Sequence, residues 1–214
     1  MAVDYRTYEK RGTSEIVEKK SRFLGDAVRV KTLEEAEAYI AQVRKEHYDA
    51  RHHCFAYVTG EPGTPDEIVR SSDDGEPSGT AGKPMLEILT GRGLHQCLIV
   101  VTRYFGGTLL GTGGLVRAYS AAAKEAVEDA GMIAVRQGMR FRIRCTYPAL
   151  GKFQYLFPKE GFSIEHIEYG ADVELSVVTP ASECEKLVRL VAETTDGTAL
   201  CEKTGAVTYE EQVG

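Results

Sequence analysis

Apolar and polar positions along this chain repeat with two periods, and the switches between them outline most of its elements. From Glu15 to Val30, β-formers interleave with charges, which predicts one long strand or two short ones bending at Ser21 to Gly25. Leu33, Ala36, Ile40 and Val43 then recur at helical spacing as far as His47, and Thr32-Leu33-Glu34-Glu35 has the form of a capping box. His52 to Thr59 is short and rich in aromatic and β-branched residues, the signature of a strand. Glu61-Pro62-Gly63-Thr64-Pro65 breaks the chain, and a short strand at Ile68 to Ser71 leads into the acidic turn Asp73-Asp74-Gly75-Glu76-Pro77. Thr80 to Leu89 has helical spacing through Met85, Ile88 and Leu89, closed by Gly91 and Gly93. Cys97 to Thr102 is an unbroken apolar run, as expected of a strand buried on both faces. A glycine-rich loop follows, then a helix from about Gly113 to Asp129, stopped by Gly131.

The pattern restarts at Ile133. A strand to Thr146, a helix from Pro148 to Lys159, strands Phe162 to Tyr169 and Asp172 to Thr179, a helix opened by a capping box within Pro180 to Glu185, and a final strand near Ala199 to Tyr209 give βαββαβ, the ferredoxin-like order. The prediction is an α+β protein of two domains, 1–132 and 133–214, with the boundary near Met132.

Composition narrows the class. At 214 residues each domain can bury a core without staples, and no apolar run approaches the roughly 20 residues that span a bilayer. The first dozen residues are polar and of mixed charge, so the expected location is the cytoplasm. Five widely spaced cysteines fit neither a disulfide framework nor a structural zinc site, and reduced thiols are expected. A net charge of −6 excludes coating of nucleic acid by overall basicity, but not a local patch.

The candidate chemistry sits between Asp73 and Arg117. Gly106, Gly107, Gly111, Thr112, Gly113 and Gly114 lead from a strand into a helix, where backbone N–H groups converge and bind anions; Arg103 and Arg117 flank them, and Lys83, with Arg70 and Arg92, adds positive charge nearby. The same glycines also suit a tightly packed corner. Thr112 stands where a P-loop needs lysine, so this is not a Walker motif. Asp73, Asp74 and Glu76 suit pairing with Arg103 and Arg117 or contact with a partner, ahead of a magnesium cage, because no further carboxylates complete one. In His52-His53-Cys54 strand alternation puts at most two side chains on one face, which favours a histidine beside a buried cysteine over a metal site. Arg140, Arg142 and Arg144 make a secondary basic strand face. Its arginine side carries no aromatics for stacking bases, so a solvated face paired with Glu165, Glu168 or Glu174 is the expectation, ahead of docking of single-stranded nucleic acid or an acidic protein. No catalytic residue, metal or cofactor is assigned.

Three segments resemble the IMPACT/YigZ family of cytoplasmic proteins: His53 to Tyr57, Asp73 to Pro84, and Arg103 to Gly107 with Gly111 to Tyr119. The resemblance implies a first domain like domain IV of elongation factor G, related to a small-subunit ribosomal protein, and a second like domain V. It also implies a role in translation, since a eukaryotic relative restrains activation of an initiation-factor kinase by competing for its ribosome-bound activator. That relative carries an N-terminal partner-binding domain not found in this sequence, so its mechanism does not transfer. The functional expectation is a non-enzymatic regulator that contacts RNA, the ribosome or a ribosome-bound factor. The rival is an enzyme acting on a phosphorylated small molecule or nucleotide, with the glycine loop as its phosphate site.

Overall fold

The computed structural model describes residues 4–213. The chain divides into two compact units, one ending at Ala134 and including the chain end from Glu211, the other Val135–Glu210.

In the first unit the elements run β1 (Tyr5–Tyr8), β2 (Gly12–Glu18), β3 (Ser21–Arg29), α1 (Leu33–Glu46), β4 (His52–Thr59), β5 (Ile68–Ser72), α2 (Gly82–Gly91), β6 (Cys97–Tyr104) and α3 (Gly111–Ala130). Five strands form a sheet in the order β2-β3-β6-β4-β5, antiparallel at every pairing. Alternation along β6 explains its unbroken apolar run. Cys97, Ile99 and Val101 join α2 and α3 in one core, whereas Leu98 and Val100 join α1 in another, so helices cover both faces.

Several expectations need correction at element ends. The bend at Ser21 to Gly25 is instead a tight turn earlier in the chain, with Lys19 and Lys20 both at positive φ. The strand β1 was missing from the pattern because its residues, Tyr-Arg-Thr-Tyr, are few and mostly polar, although Thr7 and Tyr8 are fully buried. Helix α2 starts at Gly82, not Thr80, because Thr80 is held in a turn by its N–H and hydroxyl bonds to the Pro77 carbonyl. At α1 the Thr32 hydroxyl accepts from the Glu35 N–H at 3.3 Å, but Glu35 reaches back to the N–H of Lys31, so the box closes one residue early.

The second unit contains β7 (Met132–Cys145), which the chain enters from the first, then α4 (Tyr147–Glu160), β8 (Ser163–Tyr169), β9 (Val173–Pro180), α5 (Cys184–Thr195) and β10 (Leu200–Gln212). This is the βαββαβ order, with β7 between β9 and β10 and β8 outside β9. Phe141, Ile143, Phe153, Phe157, Leu175, Val177, Leu187 and Val191 close its core. The capping box expected around Ser182 does not form: a 3-10 turn, Ala181–Glu183, intervenes, and α5 begins at Cys184 without a side-chain cap.

Candidate contact site

The site grows out of the far end of β6. Continuing the alternation that buries Ile99 and Val101 places Arg103 on the same inward face, opposite Phe23 of β3 and His52 of β4. Its side chain is only 6% exposed, and such a charge is tolerable only if it is compensated. Glu76 supplies the compensation: its Oε1 accepts from Arg103 Nη1 at 2.6 Å and from the Tyr119 hydroxyl at 2.8 Å. The guanidinium lies over the rings of Phe23 and Phe105, at 5.4 and 5.5 Å from their centroids. Ser21 Oγ accepts from Arg103 Nη2 at 3.4 Å and from the Gly106 N–H at 3.1 Å, joining the buried arginine to the start of the glycine loop. Of the two roles expected of Arg103, charge beside the anion loop or pairing with the acidic turn, the structure shows the pairing, with Glu76, and the side chain points inward.

The acidic turn divides its labour. Asp73 Oδ1 accepts from the N–H groups of Ala81 and Gly82, each at 2.9 Å, and Oδ2 from Gly79 at 2.8 Å, so one carboxylate organises the entry to α2. Burial alone raises its pKa, but these backbone donors outweigh it and hold the carboxyl below its ordinary value. Asp74, a non-glycine residue at φ 42°, accepts from Arg44 at 2.7 Å and from the His53 N–H at 2.7 Å. Its carbonyl meets His52 Nδ1 at 2.9 Å. Of the three acids, Glu76 pairs with Arg103, Asp74 with Arg44, and Asp73 with backbone; Arg117 receives none of them.

Neither Cys54 nor its neighbours form an activated nucleophile. Burial pushes the Cys54 thiol up to about 12, and Sγ donates to the Asp73 carbonyl at 3.0 Å. Tyr119 is driven well above its ordinary value by burial, reinforced by Cys54 and Glu76, so it remains a donor. Burial lowers His53, whose Nε2 lies 3.1 Å from the His47 carbonyl. Among the described residues no group of three His, Cys, Asp or Glu could hold a metal.

The outward half of the site is the loop and the first turns of α3. Gly106 is required by close approach, since a Cβ there would lie 2.1 Å from the Lys20 carbonyl carbon; Gly107 and Gly111 take positive φ. Gly113 has no such reason: its position leaves open space apart from the flexible end of Arg117. Helix α3 has no side-chain cap at Leu110 and no acidic residue in its first turn, so its leading N–H groups take no hydrogen bond from a cap. Thr112 and Arg117 are exposed there, and Arg117 makes no hydrogen bond or ion pair with the described residues. Phe105 and Leu109, 42% and 83% exposed, stand on the same loop. Lys83 is exposed on α2, 4.0 Å from Glu87. In the second unit, Arg140, Arg142 and Arg144 each meet an acid at 3.0 Å, namely Glu165, Glu174 and Asp172, so that face is locally neutralised.

Two family models match the chain: the Impact N-terminal domain over residues 19–127 and a domain of unknown function, DUF1949, over residues 143–198. The IMPACT family member YvyE of Bacillus subtilis is 39% identical over 99% of this chain and 96% of its own length. The chain belongs to the IMPACT family. A second member, YigZ of Escherichia coli, is 39% identical over 84% of this chain and 87% of its own. A crystal structure of a hypothetical protein matches with a TM-score of 0.60 at 34% identity, covering 96% of this chain and 98% of that one. The Impact N-terminal match spans the whole of the Asp73 to Arg117 site of this family member.

Sequence reasoning missed Ser21, Arg44, Phe105 and the hydroxyl of Tyr119 as parts of this site. Tyr119 was legible as a core position from its helical spacing with Leu115 and Ala122, but its polar end has meaning only once Glu76 lies beneath it.

Proposed function

We propose that this IMPACT family member is a non-enzymatic, cytoplasmic, translation-associated protein that contacts RNA, the ribosome or a ribosome-bound factor. The contact face is Phe105 to Arg117. The observation that carries this reading is the uncapped first turn of α3, where Gly111, Thr112 and Gly113 are exposed and Arg117 stands free. Partial positive charge on the leading N–H groups and a full charge on Arg117 together suit a phosphate. The buried Arg103–Glu76–Tyr119 set serves as the frame that fixes this face, and Lys83 contributes at its margin. Family membership supports a role in translation, as does the likeness to domains IV and V of elongation factor G that the family motifs imply. The three paired arginines of β7 are not part of the contact.

Ribosome co-sedimentation across a salt series tests the proposal. Wild type should bind at low salt, with log affinity falling against log salt by about 0.7 per single-strand phosphate engaged. Arg117→Glu should weaken binding and flatten the slope without lowering the melting temperature, because an exposed, unpaired arginine contributes little to stability. The rival reading, an enzyme using the loop as a phosphate site, predicts nucleotide turnover with Mg²⁺ and no ribosome association at any salt.

A further inference from the structure

Lys19 and Lys20 close the β2–β3 hairpin in a conformation that lysine does not favour. The pairing of Glu18 with Ser21 leaves a two-residue loop, and both loop residues take positive φ, 46° and 68°. Those angles suit a type I′ turn, for which Asn-Gly is the preferred sequence because a side chain with a Cβ is strained there. Two lysines therefore add nothing to the stability of this turn. Both side chains are exposed, and neither makes a hydrogen bond or ion pair with the described residues.

The turn lies at the same end of the first unit as the leading turn of α3. The Thr13 N–H donates to Asp129 Oδ2 at 2.9 Å and Ser14 Oγ donates to the Ala122 carbonyl at 2.7 Å, so β2 and α3 run in opposite directions against each other. A strand rises about 17 Å from Ser14 to Lys19, and a helix rises about 17 Å from Ala122 back to Gly111, which brings the lysines level with the start of α3. A second contact fixes the same arrangement: Gly106 packs on the Lys20 backbone, and its N–H donates to Ser21 Oγ at 3.1 Å. The loop from Gly106 to Gly111 thus leads from the lysine turn to the helix. Of the acids flanking the turn, Glu15 is taken by Arg22 at 2.8 Å, and Glu18 remains beside the two lysines.

We propose that the Lys19-Lys20 turn binds the phosphate backbone of a single RNA strand whose neighbouring nucleotides lie on the α3 face. The inference rests on the reading of that face given above and narrows its ligand to RNA. Two lysines and Arg117 set unpaired positive charge at separate points of one surface, which suits a row of phosphates and leaves a lone phosphate with most of the charge unused. Phe105, next to Gly106, supplies what a base needs. Its ring lies 5.5 Å from the Arg103 guanidinium and is 42% exposed, so it leaves surface on which an unpaired base can stack. The strained turn then has a reason: the lysines stand there for their charge, at positions where the backbone favours asparagine and glycine.

The test replaces Lys19→Asn and Lys20→Gly together in the full chain, which moves stability and binding in opposite directions. The melting temperature should rise by about 2–4 °C as the strain is relieved. Affinity for an unpaired RNA of about 12 nucleotides, followed by fluorescence anisotropy at low salt, should fall about tenfold or more. The slope of log affinity against log salt should flatten by about 1.4, two phosphates at about 0.7 each. Lys19→Arg with Lys20→Arg keeps the charges and should keep both affinity and slope. Phe105→Leu removes a stacking surface and no charge, so it should weaken binding about fivefold or more at unchanged slope. A lower melting temperature in the Asn-Gly variant would make the lysines structural and overturn the proposal. So would wild-type RNA affinity in that variant while Arg117→Glu still weakens binding, which would leave RNA on the α3 face without the turn. If the RNA does not bind at all but ribosomes still co-sediment in an Arg117-dependent way, the α3 reading stands with a protein as its partner, and this inference alone falls.

Discussion

Glu76 gives the sharpest handle on how this site is held together. It is almost fully buried, and it neutralises an arginine that is 6% exposed, so Glu76→Ala removes a charge and leaves its partner uncompensated. Breaking a buried pair from one side costs about 3–5 kcal/mol, to which the Tyr119 hydroxyl, deprived of its acceptor, adds further loss. For a chain of this size each kcal/mol moves the melting temperature by about 2–4 °C, so a fall of about 10 °C is expected. Glu76→Gln keeps an acceptor for both donors and should lose about half as much. The pair is also expected to be strongly non-additive: Arg103→Met with Glu76→Gln removes both charges, and the methionine lies against Phe23 and Phe105. That double variant should be more stable than Glu76→Ala by about 2 kcal/mol. Urea titrations followed by circular dichroism give the magnitudes, and hydrogen exchange over β6 and α3 assigns them to the first unit. A Glu76→Ala loss below about 0.5 kcal/mol, or simple addition in the double variant, would refute the argument that Arg103 depends on this carboxylate.

Other expectations follow from burial and charge. With their thiols pushed up to about 12, Cys54 and Cys97 should resist Ellman's reagent at pH 8 in the native protein, and all five cysteines should react after unfolding. His53, lowered from 6.5 chiefly by burial, is neutral when folded and takes up a proton on unfolding. Stability should therefore fall as pH drops through 6.5 toward the folded value and level off below it, and His53→Asn should flatten that part of a melting-temperature profile. Fragments 1–132 and 133–214 should each give a cooperative melt when expressed alone, since each pattern closes its own core; limited proteolysis cutting within β6 or α3, with the region around Met132 resistant, would argue otherwise. Because each arginine of the β7 face is an exposed member of an ion pair, Arg142→Ala should shift stability by less than about 1 kcal/mol and leave ribosome binding unchanged.

Much of this was legible in the chain, and the failures have physical causes. The run Cys97 to Thr102 announced a strand covered on both sides because it is short, rich in β-branched residues and without a polar alternation. The same alternation, carried one step past Val101, places Arg103 inward; its pairing with the acidic turn was legible from the charges, but its burial was not, because the choice of Glu76 over Asp73 and Asp74 is made by the fold. Asp73 looked like a ligand or a partner for arginine, but its oxygens go to backbone N–H groups six, eight and nine residues on, a pairing that no side-chain pattern reports. Glycines in the loop could not be sorted from sequence. Only the fold separates Gly106, wedged on the Lys20 backbone, from Gly113, which faces open space.

The Asp73 carboxylate also bears on the order in which this region can assemble. Its bond to Gly82 closes nine residues, whereas the bond from Arg103 to Ser21 closes 82. By chain-closure entropy the longer loop costs about 2 kcal/mol more to bring together. Loops of about ten residues close within tens of nanoseconds, so the turn from Asp73 to Gly82 can be clasped many times over before β3 and β6 meet. The expectation is that the bend carrying Glu76 is sampled before that long-range pairing forms, so that substitutions at Asp73 slow folding, which stopped-flow refolding of Asp73→Asn would check.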